Sequence, residues 1–262
     1  MVPVLDDLLL EKDDKIWVAK LNRPEALNAL RKKTLLELEG ILDGFSADGT
    51  AAALVITGAG EKAFCTGGDV KAMEKMTKED AVAFARLAHR VLGKMEEIPK
   101  PIISAVNGYA LGAGCDLAAE CDICVASERA VFGETSPGVG VITPFGGTQR
   151  LPRIVGPSWT KFLMFTGETI DAKTAFQIGL VNKVVPHEAL MDEAKKVAKE
   201  ILTRAPVAVA YCKKLVNYSL GAGLGEGDRL EVELYGGCFE TDDRKEGTKA
   251  FLEKRKPVFV GK

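Results

Sequence analysis

The sequence predicts an α/β fold, and two patterns in the chain carry that prediction. Apolar segments with the composition of buried strands alternate with amphipathic helical segments from about residue 15 to Pro144. Beyond Pro144 the pattern changes to helices separated by glycines. Strands that alternate with helices are typical of α/β domains. The first part is therefore expected to form the sheet-containing core, and the last part a helical region.

The elements of the first part are predicted one by one from their patterns. Residues 15–22 (KIWVAKLN) alternate like a half-buried strand, and an amphipathic helix follows them as far as about Phe45. Residues 51–60 (AAALVITGAG) predict a buried strand closed by glycine, and a helix is expected around residues 79–97. Further strands are predicted in residues 100–108, 121–127 and 130–133, and residues 109–120 turn through small side chains into a helix.

Three helices and a helical tail are predicted in the second part. The helices are expected in residues 157–165, 171–180 and 188–202. Asp171 is the expected N-cap of the second and Gly179 its C-cap, whereas the third shows one apolar face. From about Ala205 onward only helices and glycine breaks are predicted. We therefore divide the chain into a core with the active site, residues 1–204, and a helical region for assembly, residues 205–262.

Composition and charge exclude several classes of protein. A chain of 262 residues suits one large domain with a substantial core. Its 35 basic and 37 acidic residues nearly balance, and no basic stripe alternates with aromatic residues, so nucleic acid is not an expected partner. Residues 1–15 lack the basic region of a signal peptide. Since no apolar run approaches the length of a membrane span, no membrane partner is expected, and the expected location is cytoplasmic.

The cysteines and histidines are expected to be structural. Six cysteines in a chain of this kind predict free thiols. Cys121 and Cys124 have the spacing of a metal or redox pair, but they lie in an apolar run without a second pair or a nearby histidine. We therefore expect small buried side chains here and no metal site. His89 and His187 are also expected to be structural, which leaves acid–base chemistry to carboxylates, lysines or tyrosines.

Two glycine-rich turns are the first candidates for a functional site. Residues 64–73 (FCTGGDVKAM) and 107–123 (NGYALGAGCDLAAECDI) each place glycines between a strand and a helix. Small residues there leave backbone N–H groups bare at a helix N-terminus, where the helix dipole adds positive potential. Two such turns that face each other would form an oxyanion hole for a carbonyl oxygen that gains charge. Taken singly, either turn is better explained as a simple passage from strand to helix.

The two turns and four further segments together resemble the crotonase family, that is, the enoyl-CoA hydratases and isomerases. The segments lie in the family's order and spacing and run nearly end to end. They are LNRPEALNAL (21–30), FCTGGDVKAM (64–73), KPIISAVNGYALGAGCDLAAECDICVAS (100–127), FGGTQRLPRIVG (145–156), TGETIDAKTAFQIGLVNKVVP (166–186) and EGTKAFLEKRKPVFVGK (246–262). The resemblance implies a crotonase-type spiral of ββα units and an all-α carboxyl-terminal region that assembles homotrimers, often paired into homohexamers.

The resemblance also implies the substrate and the groups that bind it. The substrate would be an acyl-CoA thioester, with coenzyme A as part of the substrate and no separate cofactor. The backbone amides of Gly68 and Ala113 would form the oxyanion hole. The positions that match the family's substrate and CoA contacts are Ala26, Gly68, Asp69, Val70, Lys71, Phe251 and Lys254. Of these, Phe251 and Lys254 would reach the coenzyme from a neighbouring subunit.

The chain departs from the family at the catalytic acids. Typical hydratases hold the attacking water between two glutamates, one in a GGGCE pattern and one in an FGxPE pattern. Here the first pattern reads GAGCD, which places Asp116 there, and the second reads FGETS, which places Ser136 there. Glu134 stands two residues earlier, where a typical member has glutamine. The catalytic candidates are therefore Asp116, with help from Ser136 or Glu134. Glu134 is equally consistent with a solvated surface acid, and Glu120 is expected to be structural.

Reversible hydration of an enoyl-CoA or dienoyl-CoA through a stabilised enolate is the leading prediction. The bend at residues 132–140 (FGETSPGVG) also resembles that of the dihydroxynaphthoyl-CoA synthases, which lack the second glutamate but keep an aspartate just after the bend, where this chain has none. Double-bond isomerisation, decarboxylation and C–C bond formation or cleavage on the same scaffold stay open. A catalytically silent acyl-CoA binder is a further alternative, which Ser136 favours and Asp116 opposes.

Overall fold

Two β-sheets and the helices packed on them form the protein, of which a computed structural model describes residues 5–262. The signal-peptide prediction concerns residues 1–15, of which the first four lie outside this range. The strands are β1 (Leu8–Asp13), β2 (Ile16–Leu21), β3 (Ala53–Gly58), β4 (Ala63–Cys65), β5 (Ile102–Val106), β6 (Tyr109–Leu111), β7 (Ile123–Ser127), β8 (Val131–Gly133), β9 (Thr169–Asp171) and β10 (Lys183–Val185). The helices are α1 (Lys32–Ala47), α2 (Val70–Met73), α3 (Lys78–Glu97), α4 (Ala113–Glu120), α5 (Gly147–Ile154), α6 (Gly156–Thr166), α7 (Ala172–Gln177), α8 (Leu190–Ile201), α9 (Pro206–Ser219), α10 (Leu224–Cys238) and α11 (Asp242–Leu252).

Three consecutive ββα units build the two sheets together. The strand pairs β3–β4, β5–β6 and β7–β8 each send their first strand into one sheet and their second strand into the other. The six-stranded sheet has the order β1-β2-β3-β5-β7-β10, and the four-stranded sheet has the order β4-β6-β8-β9. Successive units pair in parallel in both sheets, whereas β1 and β9 run antiparallel to their neighbours. This arrangement confirms the α/β prediction and is the spiral of ββα units that the resemblance implies.

Both faces of the six-stranded sheet are buried, as is typical of parallel strands that are apolar on both sides. On one face, Val18 and Val55 pack with Leu190 of α8. On the other face, Leu54 and Ile56 join the main core, to which α1, α3 and α4 also contribute. The observed register pairs Val55 of β3 with Ile103 of β5, and Ile103 with Ile123 of β7. The register in turn fixes where each strand ends.

Helices α9, α10 and α11 form the carboxyl-terminal region and leave much apolar surface exposed. Large apolar side chains that are exposed in the single chain are Val216, Leu224, Val232, Tyr235, Phe251 and Leu252. Exposed apolar groups of this number are typical of a surface that contacts another chain. The division of the chain at residue 204 stays a prediction.

Two short strands show that the prediction of helices alone beyond Pro144 was wrong. β9 pairs antiparallel with β8, and β10 pairs parallel with β7. Each has three residues, which is too few to show a period, and each partner lies much earlier in the chain. β1, which contains the leucine run LLL, is a further strand that the patterns did not indicate. These strands depend on tertiary pairing, and local propensity does not reveal them.

The helix predicted directly after residue 22 begins later than expected. A 3-10 turn at Pro24–Ala26 comes first, and Leu27 and Asn28 then adopt a left-handed conformation, with φ of 50° and 58°. The side-chain amide of Asn28 stabilises this bend by donating to the carbonyl oxygen of Ala63 at 2.8 Å. The regular helix α1 therefore starts only at Lys32 and ends at Ala47, close to the predicted end.

Other predicted elements are confirmed. The helix expected around residues 79–97 is α3. Asp171 caps α7 by accepting a hydrogen bond from the N–H of Thr174, and Gly179 follows the helix in a left-handed conformation. None of the helices between residues 5 and 262 combines the length and the apolarity that crossing a membrane requires.

Candidate active site

A cavity of about 940 Å³ opens where β4, β6 and β8 end at the same edge of the four-stranded sheet. The turn after each strand contributes to its wall: Gly67 and Gly68 after β4, Gly112 and Ala113 after β6, and Thr135 and Ser136 after β8. Much of the remaining wall is apolar and includes Met73, Val82, Phe84, Val139, Ile142 and Phe145. Carboxyl ends of parallel strands share one edge of a sheet, so the topology itself brings the three turns together.

The backbone N–H groups of Gly68 and Ala113 are free at this cavity. The N–H of Leu30 donates to the carbonyl of Gly67 at 2.7 Å, and the N–H of Asp69 donates to the carbonyl of Leu30 at 2.8 Å. The N–H of Gly68, which lies between these two groups, therefore points away from Leu30. Ala113 is the first residue of α4, where N–H groups have no partner within the helix. Within residues 5–262, neither N–H donates to a backbone carbonyl. Both are therefore available to a bound group.

The two glycine turns contact each other and the bend after β8. A Cβ on Gly67 would lie 3.0 Å from the carbonyl oxygen of Leu111 and 3.5 Å from the nitrogen of Ala113. Gly112 has a φ of 49°, and a Cβ there would lie 3.0 Å from Oγ of Ser136. The hydroxyl of Ser136 therefore lies beside the start of α4, next to the free N–H of Ala113.

Asp116 lies behind the cavity wall, one turn into α4, with 2% of its surface exposed. Its Oδ2 accepts a hydrogen bond from the hydroxyl of Thr143, a buried residue that also lines the cavity. Its carboxyl group packs on Gly147, where a Cβ would lie 2.8 Å from Cγ of Asp116 and closer still to Oδ1. Burial raises the pKa of Asp116 above its ordinary value, although Thr143, Glu134 and Arg150 partly oppose this. Thr143 thus connects the carboxyl group to the cavity.

Glu134 is fully buried beside Asp116, which excludes the alternative of a solvated surface acid. It follows β8 directly, and the carbonyl of Gly133 accepts a hydrogen bond from the N–H of Gly112 at 2.8 Å, which holds this segment against the start of α4. The carboxyl groups of Glu134 and Asp116 lie within hydrogen-bonding reach. Burial, and then the charge of Asp116, raise the pKa of Glu134 well above its ordinary value. Such a pair titrates as a unit.

Thr143, Gly147 and His89 belong to the site although the sequence patterns do not identify their roles. Thr143 is one of several hydroxyl residues near the bend, and its partner on α4 is visible only in three dimensions. Gly147 is the first residue of α5 and follows Gly146, and such a glycine pair is the one local sign of close packing. His89, expected to be structural, is exposed on α3 and lines the cavity.

The turn from Gly68 to Lys71 meets the cavity in part. Gly68 and Val70 line it. Asp69 instead accepts hydrogen bonds from N–H groups of α2, including that of Lys71 at 3.1 Å, and pairs with Arg23 at 2.9 Å. Asp69 therefore holds the turn in place, and the side chain of Lys71 is exposed.

The remaining positions that match CoA contacts lie further from these turns. Ala26 is half-buried at the end of its 3-10 helix, and the carbonyl of the next residue, Leu27, accepts a hydrogen bond from the N–H of Thr66, which lines the cavity. Phe251 is 83% exposed near the end of α11, and Lys254 follows with a left-handed φ of 54°. Phe251 and Lys254 are therefore free to contact another chain.

Glu120, one turn beyond Asp116 on α4, has the environment expected of a structural residue. It is buried in an ion pair with Arg150, which also pairs with Glu96 at 2.9 Å. Burial raises the pKa of Glu120, and the charge of Arg150 opposes this rise. A second cavity of about 630 Å³ lies against this cluster and is bounded by α9. The charge of Arg150 is thus engaged outside the first cavity.

His187 and the cysteine pair lie away from the cavity. His187 joins Ser127 at 3.0 Å and Glu61 at 2.9 Å, but Ser127 is fully buried and its hydroxyl is out of reach of a substrate. Cys121 and Cys124 are buried thiols, as expected. In the described part of the chain, no group of three His, Cys, Asp or Glu side chains is arranged to hold a metal ion. The titratable side chains that line the cavity are His89 and Lys78, and the carboxyl groups of Asp116 and Glu134 lie buried behind its wall.

Comparison with known proteins points to one family. The family model described as enoyl-CoA hydratase/isomerase matches residues 11–262. A crotonyl-CoA hydratase of Syntrophomonas wolfei is 44% identical over 257 residues, which cover 98% of this chain and 99% of that protein. A short-chain-enoyl-CoA hydratase of Clostridium acetobutylicum is 43% identical over 252 residues, 96% of this chain and 97% of that protein. The crystal structure of an enoyl-CoA hydratase from Bacillus anthracis matches with a TM-score of 0.94 at 35% identity, over 98% of this chain and 100% of that one.

Proposed function

Because this chain belongs to the enoyl-CoA hydratase/isomerase family, we propose that the cavity binds an acyl-CoA thioester and that the chain is a lyase catalysing reversible hydration of an enoyl-CoA. One arrangement carries the proposal: two free backbone N–H groups line the cavity, and a buried carboxyl group lies directly behind its wall, where Thr143 connects it to the cavity. Donors placed where an oxyanion develops, next to one acid–base group, are what addition of water to a conjugated thioester requires.

The N–H groups of Gly68 and Ala113 hold the thioester oxygen. When the oxygen of water bonds to the β-carbon, the electrons of the double bond move toward the thioester carbonyl and form an enolate. The two N–H groups and the positive end of α4 stabilise that charge. Because both donors are backbone groups fixed by sheet and helix, they need little rearrangement as the charge forms.

Asp116 moves the proton. As the C–O bond forms, its carboxylate takes a proton from the attacking water, and it then returns that proton to the α-carbon of the enolate. The enolate collapses to the 3-hydroxyacyl thioester and Asp116 is ionised again. Thr143, which lines the cavity, donates a hydrogen bond to Oδ2 of Asp116 and so connects the carboxylate to the cavity. Water and the Asp116 carboxylate account for every bond that forms or breaks, and the two amides stabilise the charge. The proposed reaction therefore needs no further cofactor.

The experiment that tests this function uses a panel of thioesters. Crotonyl-CoA, a longer enoyl-CoA, a dienoyl-CoA and a malonyl-type thioester are incubated with the enzyme, and products are identified by mass. We expect a gain of one water on the enoyl or dienoyl substrates, with loss of ultraviolet absorbance of the conjugated bond. A product of unchanged mass, loss of carbon dioxide or no product on any substrate would instead indicate an isomerase, a decarboxylase or a silent binder.

Ser136 offers a direct test of the catalytic arrangement, because it lines the cavity where a second carboxylate would contact the water. Ser136→Glu is expected to raise kcat on crotonyl-CoA by about 10-fold or more, since a positioned second acid–base group contributes roughly 10²–10⁴-fold when ideally placed. Ser136→Gln is the matched control, because it has the same size without a titratable group. A gain of the same size in Ser136→Gln would show that the improvement comes from filling space.

We propose that the carboxyl-terminal helices assemble the chain into a trimer or a hexamer and that Phe251 and Lys254 complete the CoA site of a neighbouring subunit. The apolar groups exposed on α9 to α11 in the single chain support assembly. The exposed location of Phe251 at the end of α11, and of Lys254 in the turn after it, supports a contact across the interface. The mass of the particle in solution, with and without residues 237–262, tests assembly, and the affinity of the same two proteins for a saturated acyl-CoA tests the shared site; a monomer that binds it at native affinity would contradict the shared site.

The proposed location is the cytoplasm. All six cysteines are free thiols in the structure, and four of them are buried. Thiols that are kept reduced are typical of a reducing compartment.

A further inference from the structure

We infer that Glu134 is a positioning residue that stays protonated and donates a hydrogen bond to Asp116, so that the buried carboxyl pair carries one proton and one negative charge. The inference rests on the proposed function only where it concerns turnover. Its structural part, the proton on Glu134, holds for any reaction in this cavity.

The hydrogen-bond environment of the two carboxyl groups requires a proton between them. Both carboxyl oxygens of Glu134 and Oδ1 of Asp116 are buried and have no donor among residues 5–262. The carboxyl groups themselves lie within reach of each other. Two ionised groups would be unpartnered acceptors that repel each other in a closed space, which is strongly unfavourable. One proton turns the contact into a charge-assisted hydrogen bond.

Within the range that the structure describes, no free cation lies near the pair that could compensate a second negative charge. Arg150, on α5, acts on Asp116 but is ion-paired with Glu120 and Glu96. Cys115, on α4, faces Glu134, and burial raises the pKa of its thiol. Cys65, on β4, is near Asp116, and burial raises its pKa to about 12. Both thiols are therefore neutral at the pH of the cell, and the pair keeps a single negative charge.

The proton belongs on Glu134 because Asp116 has the stronger groups that favour an ionised form. The hydroxyl of Thr143 donates to Asp116, and Arg150 adds a favourable field, whereas Glu134 has only the Cys115 thiol and Asp116 beside it. The pKa values of both acids are raised by burial, and that of Glu134 is raised further by the charge of Asp116. Different environments thus separate two like groups into an acid and a base.

The protonated side chain has a defined task in turnover. It holds Oδ1 of Asp116 from one side while Thr143 holds Oδ2 from the other, so the carboxylate has one orientation. It also keeps a second negative charge away from the enolate. Neutral Glu134 has the shape and the donor of glutamine, the residue at this position in typical family members. Glutamine is therefore the conservative replacement.

The first test measures stability against pH and does not involve a substrate. A group whose pKa is raised in the folded protein keeps its proton at pH values at which the unfolded chain has already released it. The free energy of unfolding therefore declines as pH rises above the ordinary carboxyl pKa. Glu134→Gln and Glu134→Met both remove that decline. Relative to wild type, the Tm of each variant is expected to rise by about 5–10 °C between about pH 5 and about pH 9. Glu97→Gln, at an exposed site on α3, is the control and is expected to give a flat difference.

The second test measures turnover of the hydration substrate against pH. Glu134→Gln is expected to keep kcat within about threefold, because an amide N–H replaces the O–H donor. Glu134→Met is expected to lower kcat by about 10–100-fold with little change in KM. This loss corresponds to the contribution of one hydrogen bond to a charged group. In the same variant the acid limb of the kcat profile moves to higher pH, because Asp116 loses a donor that favours its charge.

The outcomes separate this inference from the proposed function. A Tm difference that is constant with pH for both Glu134 variants overturns the proton on Glu134, whatever the activity. Equal kcat values and equal pH profiles in Glu134→Gln and Glu134→Met overturn the positioning role. Absence of hydration by wild type on every thioester contradicts the proposed function alone, since the Tm measurement is unaffected.

Discussion

Asp116→Asn is expected to lower kcat for hydration by about 10²–10⁴-fold, the contribution of one positioned acid–base group, while affinity for the thioester changes little. Asparagine keeps the shape of the side chain, and its carbonyl oxygen can still accept from Thr143. It cannot take a proton from water or return one to the α-carbon. The loss should therefore appear in kcat, because the N–H groups of Gly68 and Ala113 that bind the carbonyl are unchanged.

The measurement combines turnover with binding of a saturated acyl-CoA, which cannot react. Glu120→Gln is the control, because this acid is also buried and lies one turn further along α4, but it faces Arg150. Its kcat per folded molecule is expected to stay within a few-fold of wild type, even if loss of the ion pair lowers stability. Near-full turnover in Asp116→Asn would contradict the assignment of Asp116 as the proton carrier.

Gly147→Ala is expected to lower kcat by at least about 10²-fold, the loss that a displacement of about 1 Å can cause at a catalytic group. The backbone of Gly147 is helical, so alanine is allowed by conformation. Its Cβ, however, would lie 2.8 Å from Cγ of Asp116 and within contact distance of Oδ1. The carboxyl group must then move away from residue 147, which disturbs its hydrogen bond with Thr143, and overpacking of this kind costs about 1–3 kcal/mol of stability.

A double-mutant cycle tests whether the loss acts through Asp116. In the Asp116→Asn background, Gly147→Ala should cost little further kcat, because the group it displaces no longer transfers a proton. Gly93→Ala is the matched control: its Cβ meets open space on α3, and it is expected to keep kcat and to add about 0.5–1 kcal/mol of stability. Full additivity of the two losses would show that Gly147 acts on something other than Asp116.

The sequence predicts the parts of this protein that depend on local pattern or on family motifs. The strands β2, β3, β5 and β7 are apolar runs, and the positions of Gly68, Ala113 and Asp116 follow from the resemblance. Strands of three residues, such as β9 and β10, arise from pairing with distant segments and have no local period.

The environment of the acids is the part of the site that the sequence cannot predict. In the sequence, Glu134 is as consistent with a surface acid as with a functional one, and its burial results from the packing of the bend against α4. The partnership of Thr143 and Gly147 with Asp116 is likewise a matter of packing between α4 and the segment before α5. Titration behaviour depends on these contacts, so residue type alone does not determine it.

The equivalence of the three turns after β4, β6 and β8 has a consequence for how new activities arise in this fold. In the proposed mechanism two of the turns bind the thioester through backbone atoms, which most point mutations leave in place. The third contributes side chains, here Glu134 and Ser136, that surround the proposed proton carrier Asp116 or line the cavity. Substitutions in the third turn therefore alter the reaction while capture of the thioester persists. A lineage can pass from one chemistry to another by a few mutations, and every intermediate along the way still binds the same class of molecule.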